Sequence, residues 1–241
     1  MPSFSYEIGI IIPAFNPDHG ILRELISRIL PVTHSFPSQI IIVDDGSIPP
    51  IRLIDQFSPL VQIIRQEKNY GKGQALRKGF HFFTCISPAR YILTIDSDLQ
   101  HSPEKIPEFI KLIKSHRYRI IIGHRDRRLS RMPFHRIVSN YLTSLIISCL
   151  TGQMVKDSQC GFRLFDSRIL SGLLLEEKRF HLESEMLIKA AWQKISIGFV
   201  KIPTIYQQEK SAIKNFQDTL NFVSLIVRLL RKRITGKCRR C

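Results

Sequence analysis

The chain lacks an apolar run long enough to cross a membrane. The longest candidate, residues 142–150, is interrupted by Thr143, Ser144 and Ser148, whereas a spanning helix needs about 20 predominantly apolar residues. The first residues also lack a charged segment followed by a long apolar core, so no secretory signal is expected. These absences predict a cytoplasmic protein without a membrane span.

Cysteine is scarce and scattered. The five cysteines are Cys85, Cys149, Cys160, Cys238 and Cys241. An odd and dispersed set fits a reducing compartment better than a disulfide framework. Cys238 and Cys241 have C-x-x-C spacing, but no second pair completes a zinc site. We interpret them as part of an exposed tail.

Acidic residues are few compared with basic ones, and the imbalance is uneven. The 36 Lys and Arg against 20 Asp and Glu give a formal net charge of +16. Residues 117–136 carry seven arginines and one acid, and residues 228–241 carry seven Lys or Arg and no acid. Such blocks attract polyanions, such as nucleic acid, an anionic membrane surface or phosphorylated substrates. No aromatic residues are interleaved with the tail arginines to stack on bases, so nucleic acid is not expected as a partner.

An apolar helical pattern precedes the basic tail. Its members are Phe216, Leu220, Val223, Leu225, Ile226, Leu229 and Leu230. An apolar face followed by a cationic cluster is typical of an interfacial helix, in which each basic residue near an anionic membrane surface is worth about 1 kcal/mol. The alternative is a C-terminal helix that packs on the core and leaves a solvated basic end. Both interpretations stay open.

Short apolar runs alternate with helical patterns through residue 123. The strand-like runs are 8–12, 40–43, 61–64, 91–95 and 119–122, and the helical patterns are 20–30, 73–84 and 103–114. This alternation predicts an α/β domain over residues 1–206, with a mostly parallel sheet flanked by helices, and a C-terminal extension over 207–241. In such sheets ligands bind at the carboxyl ends of the strands, so the polar residues there are the candidates for a site.

Two carboxylates one residue apart follow the strand-like run 91–95. Side chains at i and i+2 of a strand share one side, so Asp96 and Asp98, with Gln100, are predicted to offer oxygen ligands to one cation. Hard oxygen ligands suit Mg²⁺ or Mn²⁺ bound together with substrate phosphates. The alternative is that these acids cap the helix that begins at Pro103.

Two further polar motifs follow the second and third strands. Asp44 and Asp45 could accept hydrogen bonds from a nucleoside base or ribose, although a plain Asp-Gly turn also explains Asp45-Gly46. Lys72 lies between two glycines at the start of a helix. It adds positive charge where the helix dipole already favours an anion, which predicts a phosphate contact.

Four motifs in this order make the pattern specific. They are Ile-Pro-Ala-Phe-Asn at 12–16, Asp-Asp-Gly-Ser at 44–47, Asn-x-Gly-Lys-Gly-x-Ala-Leu at 69–76 and Asp-Ser-Asp-Leu-Gln-His at 96–101. The chain resembles the family 2 inverting glycosyltransferases of GT-A fold, and most closely the dolichol- or polyprenol-phosphate mannosyltransferase branch. The resemblance covers roughly residues 8–206 and implies the nucleotide-diphospho-sugar transferase fold of that family.

The resemblance implies a nucleotide pocket beside the first two strands. Pro13, Ala14 and Phe15 match its first-strand segment, and Asp45 matches an acid that lines it. The family commonly has Asn-Glu after the first strand, whereas Asn16 is followed here by a proline and an aspartate. This departure leaves the donor base, guanine or uracil, open.

The resemblance also assigns roles around the cation. Asp96 would approach both the nucleotide and the metal, and Asp98 looks like the principal ligand of the cation on the diphosphate. Gln100 matches the third ligand of the polyprenol-phosphate branch. Mg²⁺ or Mn²⁺ is the implied cofactor, and a nucleotide sugar is the implied donor.

Polar residues further along resemble the acceptor side of the same enzymes. Arg125 matches an arginine suited to holding a phosphate, and Arg136 and Ser139 resemble the segment that binds the acceptor phosphate. Asp157 and Arg163, in the block that ends in Gly-Phe-Arg, are expected to line the acceptor side. The alternative for Arg163 is a buried structural pair with Asp157.

The choice of acceptor decides whether a general base is needed. For a hydroxyl acceptor of a lipid or glycan, Glu183 or Asp157 would be the candidate base. A phosphate monoester is already an anion near neutral pH and needs only cations to position it. The arginines of 117–136 therefore favour inverting transfer of a hexose, such as mannose or glucose, to a polyprenyl phosphate. A non-catalytic membrane-binding or polyanion-binding module that retains the fold is the alternative from another class.

A second apolar helical pattern lies beside these acceptor residues. Within 137–150 its members are Val138, Tyr141, Leu142, Leu145, Ile146 and Cys149. It could form an amphipathic helix on the inner face of the membrane, next to the site. An ordinary core helix is the alternative.

Overall fold

The computed structural model of the protein describes residues 4–52, 61–125, 134–170, 172–177, 181–203, 205 and 215–235, and the side chains of 134–139 and 215–220 are outside this description. The strands are β1 (Tyr6–Ala14), β2 (Ser38–Asp44), β3 (Val61–Arg65), β4 (Ala89–Thr94), β5 (Ile120–Arg125), β6 (Arg163–Asp166) and β7 (Ile197–Ile202). The helices are α1 (His19–Thr33), α2 (Lys72–His81), α3 (Ile106–Lys114), α4 (Phe134–Thr151), α5 (Ser167–Leu170), α6 (His181–Trp192) and α7 (Asn215–Ile234). A π-helical turn (Phe82–Ile86) continues α2, and a 3₁₀ turn (Pro103–Lys105) precedes α3.

These strands form one sheet in the order β3-β2-β1-β4-β6-β5-β7. All pairs are parallel except those of β6, which runs antiparallel to both β4 and β5. The predicted mostly parallel sheet with flanking helices is therefore confirmed. Neither β6 nor β7 was predicted, because β6 has only four residues and two of them, Arg163 and Asp166, are charged.

The core lies on both faces of the central strands. Ile10, Ile11 and Ile12 of β1 are each 0% exposed, so successive side chains, which point to opposite faces of the sheet, are both covered. Continuous β-branched runs are typical of parallel strands buried on both faces. The strand ends that carry the predicted polar motifs therefore meet at one edge of a rigid sheet.

The C-terminal helix α7 packs on the rest of the domain. Phe222, Leu225 and Leu229 are buried, and α7 contacts α6. Arg228 of α7 pairs with Glu177, and Lys232 with Glu176, in the segment before α6. The structure therefore agrees with the second interpretation, in which the C-terminal helix packs on the core. The tail from residue 236 onward, with Cys238 and Cys241, lies outside the described residues.

Helix α4 buries a serine hydroxyl and exposes several apolar residues. The buried Ser144 hydroxyl contacts the Ser158 hydroxyl at 3.1 Å and accepts a hydrogen bond from the Ser158 backbone N–H. Tyr141, Leu142 and Leu145 are 60%, 53% and 45% exposed. Ile147 is also fully buried, so the inner face of the helix has both polar and apolar residues, whereas its outer face is apolar. No helix in the described parts of the chain is both long and apolar enough to span a bilayer.

Candidate active site

The Asp-Ser-Asp segment forms a turn at the carboxyl edge of the sheet. Strand β4 ends at Thr94, so the expectation that Asp96 and Asp98 share one side of a strand is wrong. Asp98 Oδ1 instead accepts a hydrogen bond from the Gln100 backbone N–H at 3.1 Å, and Leu99 between them has a φ of +55°. The helix-cap alternative is also wrong, because the 3₁₀ turn that precedes α3 has no side-chain cap.

The carboxylate of Asp96 contacts two side chains and lies against the backbone of a glycine. Its Oδ1 lies 2.7 Å from Lys72 Nζ, and its Oδ2 lies 3.4 Å from His101 Nε2. Glycine at 161 makes room for it, since a Cβ there would lie 2.3 Å from Asp96 Oδ2. Burial alone would raise the pKa of Asp96, but the positive charge of Lys72 and the hydrogen bond from His101 outweigh it and hold this pKa far below its usual range. Asp96 is therefore a fixed anion.

Asp98 is in the opposite electrostatic situation. Burial, and then the negative charge of Asp96, raise the pKa of Asp98 above its ordinary value. Its ionised form would therefore be stabilised by an additional cation. Among the described residues no group of three or more His, Cys, Asp or Glu side chains could hold a metal ion. Mg²⁺ commonly takes one or two carboxylates and completes its sphere with phosphates and water, so the carboxylates of Asp96 and Asp98 fit a cation shared with a diphosphate, and the part of Gln100 stays a prediction.

The two acids after β2 are used inside the fold. Asp44 is fully buried, accepts hydrogen bonds from the backbone N–H groups of Ser47 and Ile51, and pairs with Arg65. The chain itself thus supplies partners to the oxygens of Asp44, and its contact with a nucleotide stays a prediction.

Asp45 organises the turn that leads into α2. Its carboxylate accepts hydrogen bonds from Gln66 Nε2 and from the backbone N–H groups of Tyr70 and Gly71, at 2.7–2.9 Å. Gly71 has a φ of +96°, in the left-handed region that favours glycine, and directly precedes Lys72. Asp45 therefore sets the direction of α2 and of Lys72, and its contact with a nucleotide stays a prediction.

The loop after β1 carries the other predicted nucleotide contacts. Pro13 and Ala14 are buried in the strand, whereas Phe15 is 47% exposed at its end. Asn16 joins this loop to the loop after β2, since its backbone N–H donates to Ser47 Oγ and its Oδ1 accepts from the Ile48 N–H. The exposed ring of Phe15 therefore stands at a braced edge where a base could stack.

The acceptor-side residues pair differently from the expectation. Arg125 Nε and Nη2 donate to the two carboxylate oxygens of Asp157 at 2.8 and 2.9 Å. Arg163 is 1% exposed and donates to the backbone carbonyls of Ser158, Cys160 and Glu183. Within the described part of the chain no ion pair joins Asp157 to Arg163, so the proposed structural pair is wrong in its partner. Arg163 nevertheless has the buried, carbonyl-bound surroundings of a structural residue.

Glu183, at the start of α6, completes the cluster. Its Oε2 lies 3.3 Å from Lys72 Nζ, and its Oε1 lies 3.8 Å from Arg163 Nε. Lys72 thus bridges Asp96 and Glu183. Burial would lower the pKa of Lys72, but the negative charges of Asp96 and Glu183 raise it above its ordinary value, so this lysine is cationic.

Sequence reasoning gave no role to two residues that hold the site together. His101 is buried and stacks on Phe162 with ring centroids 5.7 Å apart, which orients its Nε2 toward Asp96. Gly161 leaves space for that carboxylate. Both lie within motifs that carried the family resemblance, so that signal was present. The side chains of Arg136 and Ser139 lie outside the described residues.

Replacing Arg163 with methionine should destabilise the fold. The variant leaves three buried carbonyl groups and Glu183 without the guanidinium, and losing one partner of a buried network costs about 3 kcal/mol. Urea unfolding would measure the loss, and Arg23→Met, at an exposed arginine of α1, is the matched control. Unchanged stability together with lost activity would instead place Arg163 in direct contact with a substrate.

The edge of this sheet has a paired acid motif and, at the start of α2, a lysine in contact with it. A structure of glucosyl-3-phosphoglycerate synthase from Mycobacterium tuberculosis, in complex with Mn²⁺, UDP-glucose and phosphoglyceric acid, matches with a TM-score of 0.68 at 16% identity. The match covers 97% of this chain and 80% of that chain. At this identity the likeness shows the fold alone, which is the predicted GT-A fold.

The family follows from the sequence comparison. The model of glycosyl transferase family 2 matches residues 9–175, which is more than half of the chain. The chain belongs to this family and is a glycosyltransferase.

Named relatives lie near the polyprenyl-phosphate branch. The chain is 31% identical over 230 residues to UDP-N-acetylglucosamine–dolichyl-phosphate N-acetylglucosaminyltransferase of Methanococcus voltae, covering 85% of this chain and 88% of that protein. It is 29% identical over 199 residues to the dolichol-phosphate mannosyltransferase of Pyrococcus furiosus, covering 78% of this chain and 54% of that protein. The predicted resemblance to this branch of family 2 is confirmed.

Proposed function

We propose that the protein transfers a hexose, such as mannose or glucose, from a nucleotide sugar to a polyprenyl phosphate, with inversion and with Mg²⁺ or Mn²⁺ as cofactor. Two named relatives act on dolichyl phosphate, and the related fold was crystallised with Mn²⁺ and UDP-glucose. The donor diphosphate would bind at the Asp96–Asp98 turn. The acceptor would approach from the side of α6 and Arg125.

The observation that carries this proposal is that both candidate general bases are engaged. Asp157 is 0% exposed and forms a two-point ion pair with Arg125, and Glu183 lies between Lys72 and Arg163. A carboxylate whose lone pairs are occupied by cations is poorly suited to remove a proton from a hydroxyl. A phosphate monoester has already lost its proton near neutral pH, since its second pKa is about 6. The site therefore favours a phosphate acceptor.

The mechanism needs charge compensation more than proton transfer. Asp98 and Gln100, with Asp96, would hold the cation, which neutralises charge on the departing nucleoside diphosphate. Lys72 would bind the diphosphate at the N-terminus of α2, where the helix dipole also favours an anion. An acceptor phosphate oxygen attacks the anomeric carbon from the opposite face. The new carbon–oxygen bond forms as the bond to the diphosphate breaks, which inverts the configuration.

Replacing Glu183 with glutamine should separate the two kinds of acceptor. With a polyprenyl phosphate we expect kcat to fall less than about tenfold, because no proton has to be removed, whereas loss of a general base costs 10²–10⁴-fold. Steady-state kinetics with saturating acceptor would measure this. A fall of more than about 10²-fold with unchanged donor affinity would favour a lipid or glycan hydroxyl instead.

The outer face of α4 is the proposed contact with the membrane. Tyr141, Leu142 and Leu145 form an exposed apolar face. The arginine-rich block 117–136 precedes this face in the sequence. An apolar face beside basic residues is suited to an anionic membrane surface. The protein would then act as a peripheral enzyme on the inner face of the membrane.

Introducing charge on α4 should weaken membrane binding. We expect the double variant Leu142→Glu and Leu145→Glu to bind anionic vesicles at least about tenfold less tightly, since burying each leucine contributes about 1.5–3 kcal/mol. Vesicle co-sedimentation would measure the affinity. Leu174→Glu, at a residue of similar exposure outside α4, is the matched control. Equal losses in both variants would show that α4 is not the contact.

The decisive test is product formation. The purified chain would be incubated with a panel of nucleotide sugars, Mg²⁺ or Mn²⁺, and undecaprenyl or dolichyl phosphate, and the lipid fraction analysed by mass spectrometry. A lipid-linked sugar with one of the donors is the expected result. Transfer only to hydroxyl acceptors would overturn the proposal.

A further inference from the structure

One lysine is shared by carboxylates on the donor side and the acceptor side of the site. Lys72 Nζ lies 2.7 Å from Asp96 Oδ1 and 3.3 Å from Glu183 Oε2, and only 19% of its side chain is exposed. Asp96 belongs to the turn proposed to hold a divalent cation, whereas Glu183 begins α6. The ammonium group thus interacts with the same carboxylate that would approach the metal.

We propose that Lys72 is a placeholder cation, which neutralises Asp96 in the ligand-free site and transfers to the donor diphosphate when the donor and the metal bind. The inference rests on the metal use in the proposed function and goes beyond it. In this proposal Lys72 contacts the donor and also weakens metal binding until the donor is present. Asp96 would then become available to the metal only as the diphosphate arrives.

The geometry supports such an exchange. Lysine is a compact point charge on a flexible four-carbon stem, so Nζ can move by several ångströms without backbone motion. Lys72 is the first residue of α2, and Gly71 and Gly73 beside it carry no side chains that would restrict it. The diphosphate of a nucleotide sugar carries two negative charges, so at this helix start it would replace for Nζ the two charges of Asp96 and Glu183.

The exchange has two consequences. A divalent cation that approaches Asp96 while Lys72 is in place meets a positive charge at contact distance, so the nucleotide-free protein should bind metal weakly. After departure of Lys72, Glu183 still lies 3.8 Å from the buried Arg163 guanidinium, so a cation stays beside this carboxylate. Because coupling between two ligands is reciprocal, a donor that strengthens metal binding is itself strengthened by the metal to the same extent.

The test measures Mn²⁺ binding rather than sugar transfer. The EPR signal of free Mn²⁺ would be titrated against nucleotide-free wild-type protein and the variants Lys72→Met and Lys72→Arg. We expect Lys72→Met to bind Mn²⁺ about tenfold more tightly than wild type, because it removes the competing charge and keeps the length of the side chain. Lys72→Arg, which keeps the charge, should bind as weakly as wild type.

The control is Lys78→Met, in the same helix. Lys78 Nζ donates to the Arg65 backbone carbonyl, away from the acid pair, so this variant should leave Mn²⁺ affinity unchanged. Circular dichroism and thermal melting of each variant would verify folding. If Lys72→Met failed to fold, Lys72→Gln would make the same comparison with a polar neutral side chain.

Repeating the titration with UDP or GDP separates this inference from the proposed function. Equal Mn²⁺ affinity of wild type and Lys72→Met without nucleotide, together with nucleotide-dependent Mn²⁺ binding, would overturn the placeholder role and leave the metal site intact. No Mn²⁺ binding by any variant, with or without nucleotide, would overturn both.

Discussion

Replacing Asp98 with asparagine should lower kcat/KM for sugar transfer by about 10³-fold, in the range found when a group that stabilises developing charge is removed. Asp96 already has the cation of Lys72 beside it and a contact with His101, whereas burial and the charge of Asp96 raise the pKa of Asp98. The carboxylate with the least compensation is the one that gains most from a cation. Asparagine keeps the shape of the side chain and its oxygen, so the loss would report the missing negative charge.

The measurement combines transfer assays with Mn²⁺ binding in the presence of nucleotide. Glu108→Gln is the matched control, because it makes the same carboxylate-to-amide exchange at an exposed residue of α3 whose ion pair with Lys105 lies at the surface. Both variants should unfold at similar denaturant concentrations. Activity of Asp98→Asn within tenfold of wild type would show that Asp98 is not a required ligand.

Much of the sheet was predictable because its strands are short, continuous apolar runs. Strand β1 shows the pattern in Ile10, Ile11 and Ile12, which can be buried only between two helical layers. Strand β6 could not be predicted in this way, since Arg163 and Asp166 interrupt its pattern and their burial depends on partners distant in sequence. Arg163, for example, is satisfied by the carbonyl of Glu183, twenty residues away.

The orientation of α4 also could not be predicted from the sequence pattern. Its apolar positions fit both a core helix and a membrane helix, so periodicity alone left the alternatives open. The buried contact between Ser144 and Ser158 fixes the rotation of the helix and directs Leu142 and Leu145 outward. A contact between two hydroxyl groups that are 14 residues apart does not change the hydrophobic periodicity of either segment.

In the site, the residue types were predictable and their pairing was not. The order of motifs identified Asp96, Asp98 and Lys72 as a group at the strand ends. Asp44 and Asp45 look equivalent in sequence, yet Asp44 is buried against Arg65 and Asp45 holds the turn before α2. Which of two neighbouring acids faces the interior depends on donors that only the folded chain brings near.

Adding one methyl group at Gly161 should disable the site. A Cβ at this position would lie 2.3 Å from Asp96 Oδ2 and 2.7 Å from Asp96 Cγ, closer than non-bonded atoms approach. Gly161 is buried, and its carbonyl accepts a hydrogen bond from the Thr94 hydroxyl in β4. The backbone is thereby tied to the strand, so the carboxylate has to move. A misplacement of about 1 Å can cost 10²-fold in rate, and we expect at least that loss in kcat for Gly161→Ala.

The loss should come from the position of Asp96 and not from the fold as a whole. Gly172→Ala is the matched control, since among the described residues its Cβ would meet only the Ile169 carbonyl at 3.7 Å, an ordinary contact. Transfer kinetics and thermal unfolding of both variants would be compared. Displacing Asp96 also breaks its contacts with Lys72 and His101, so Gly161→Ala should bind nucleotide and Mn²⁺ weakly as well. Wild-type kinetics in Gly161→Ala would mean that the fixed position of this carboxylate is not required for transfer.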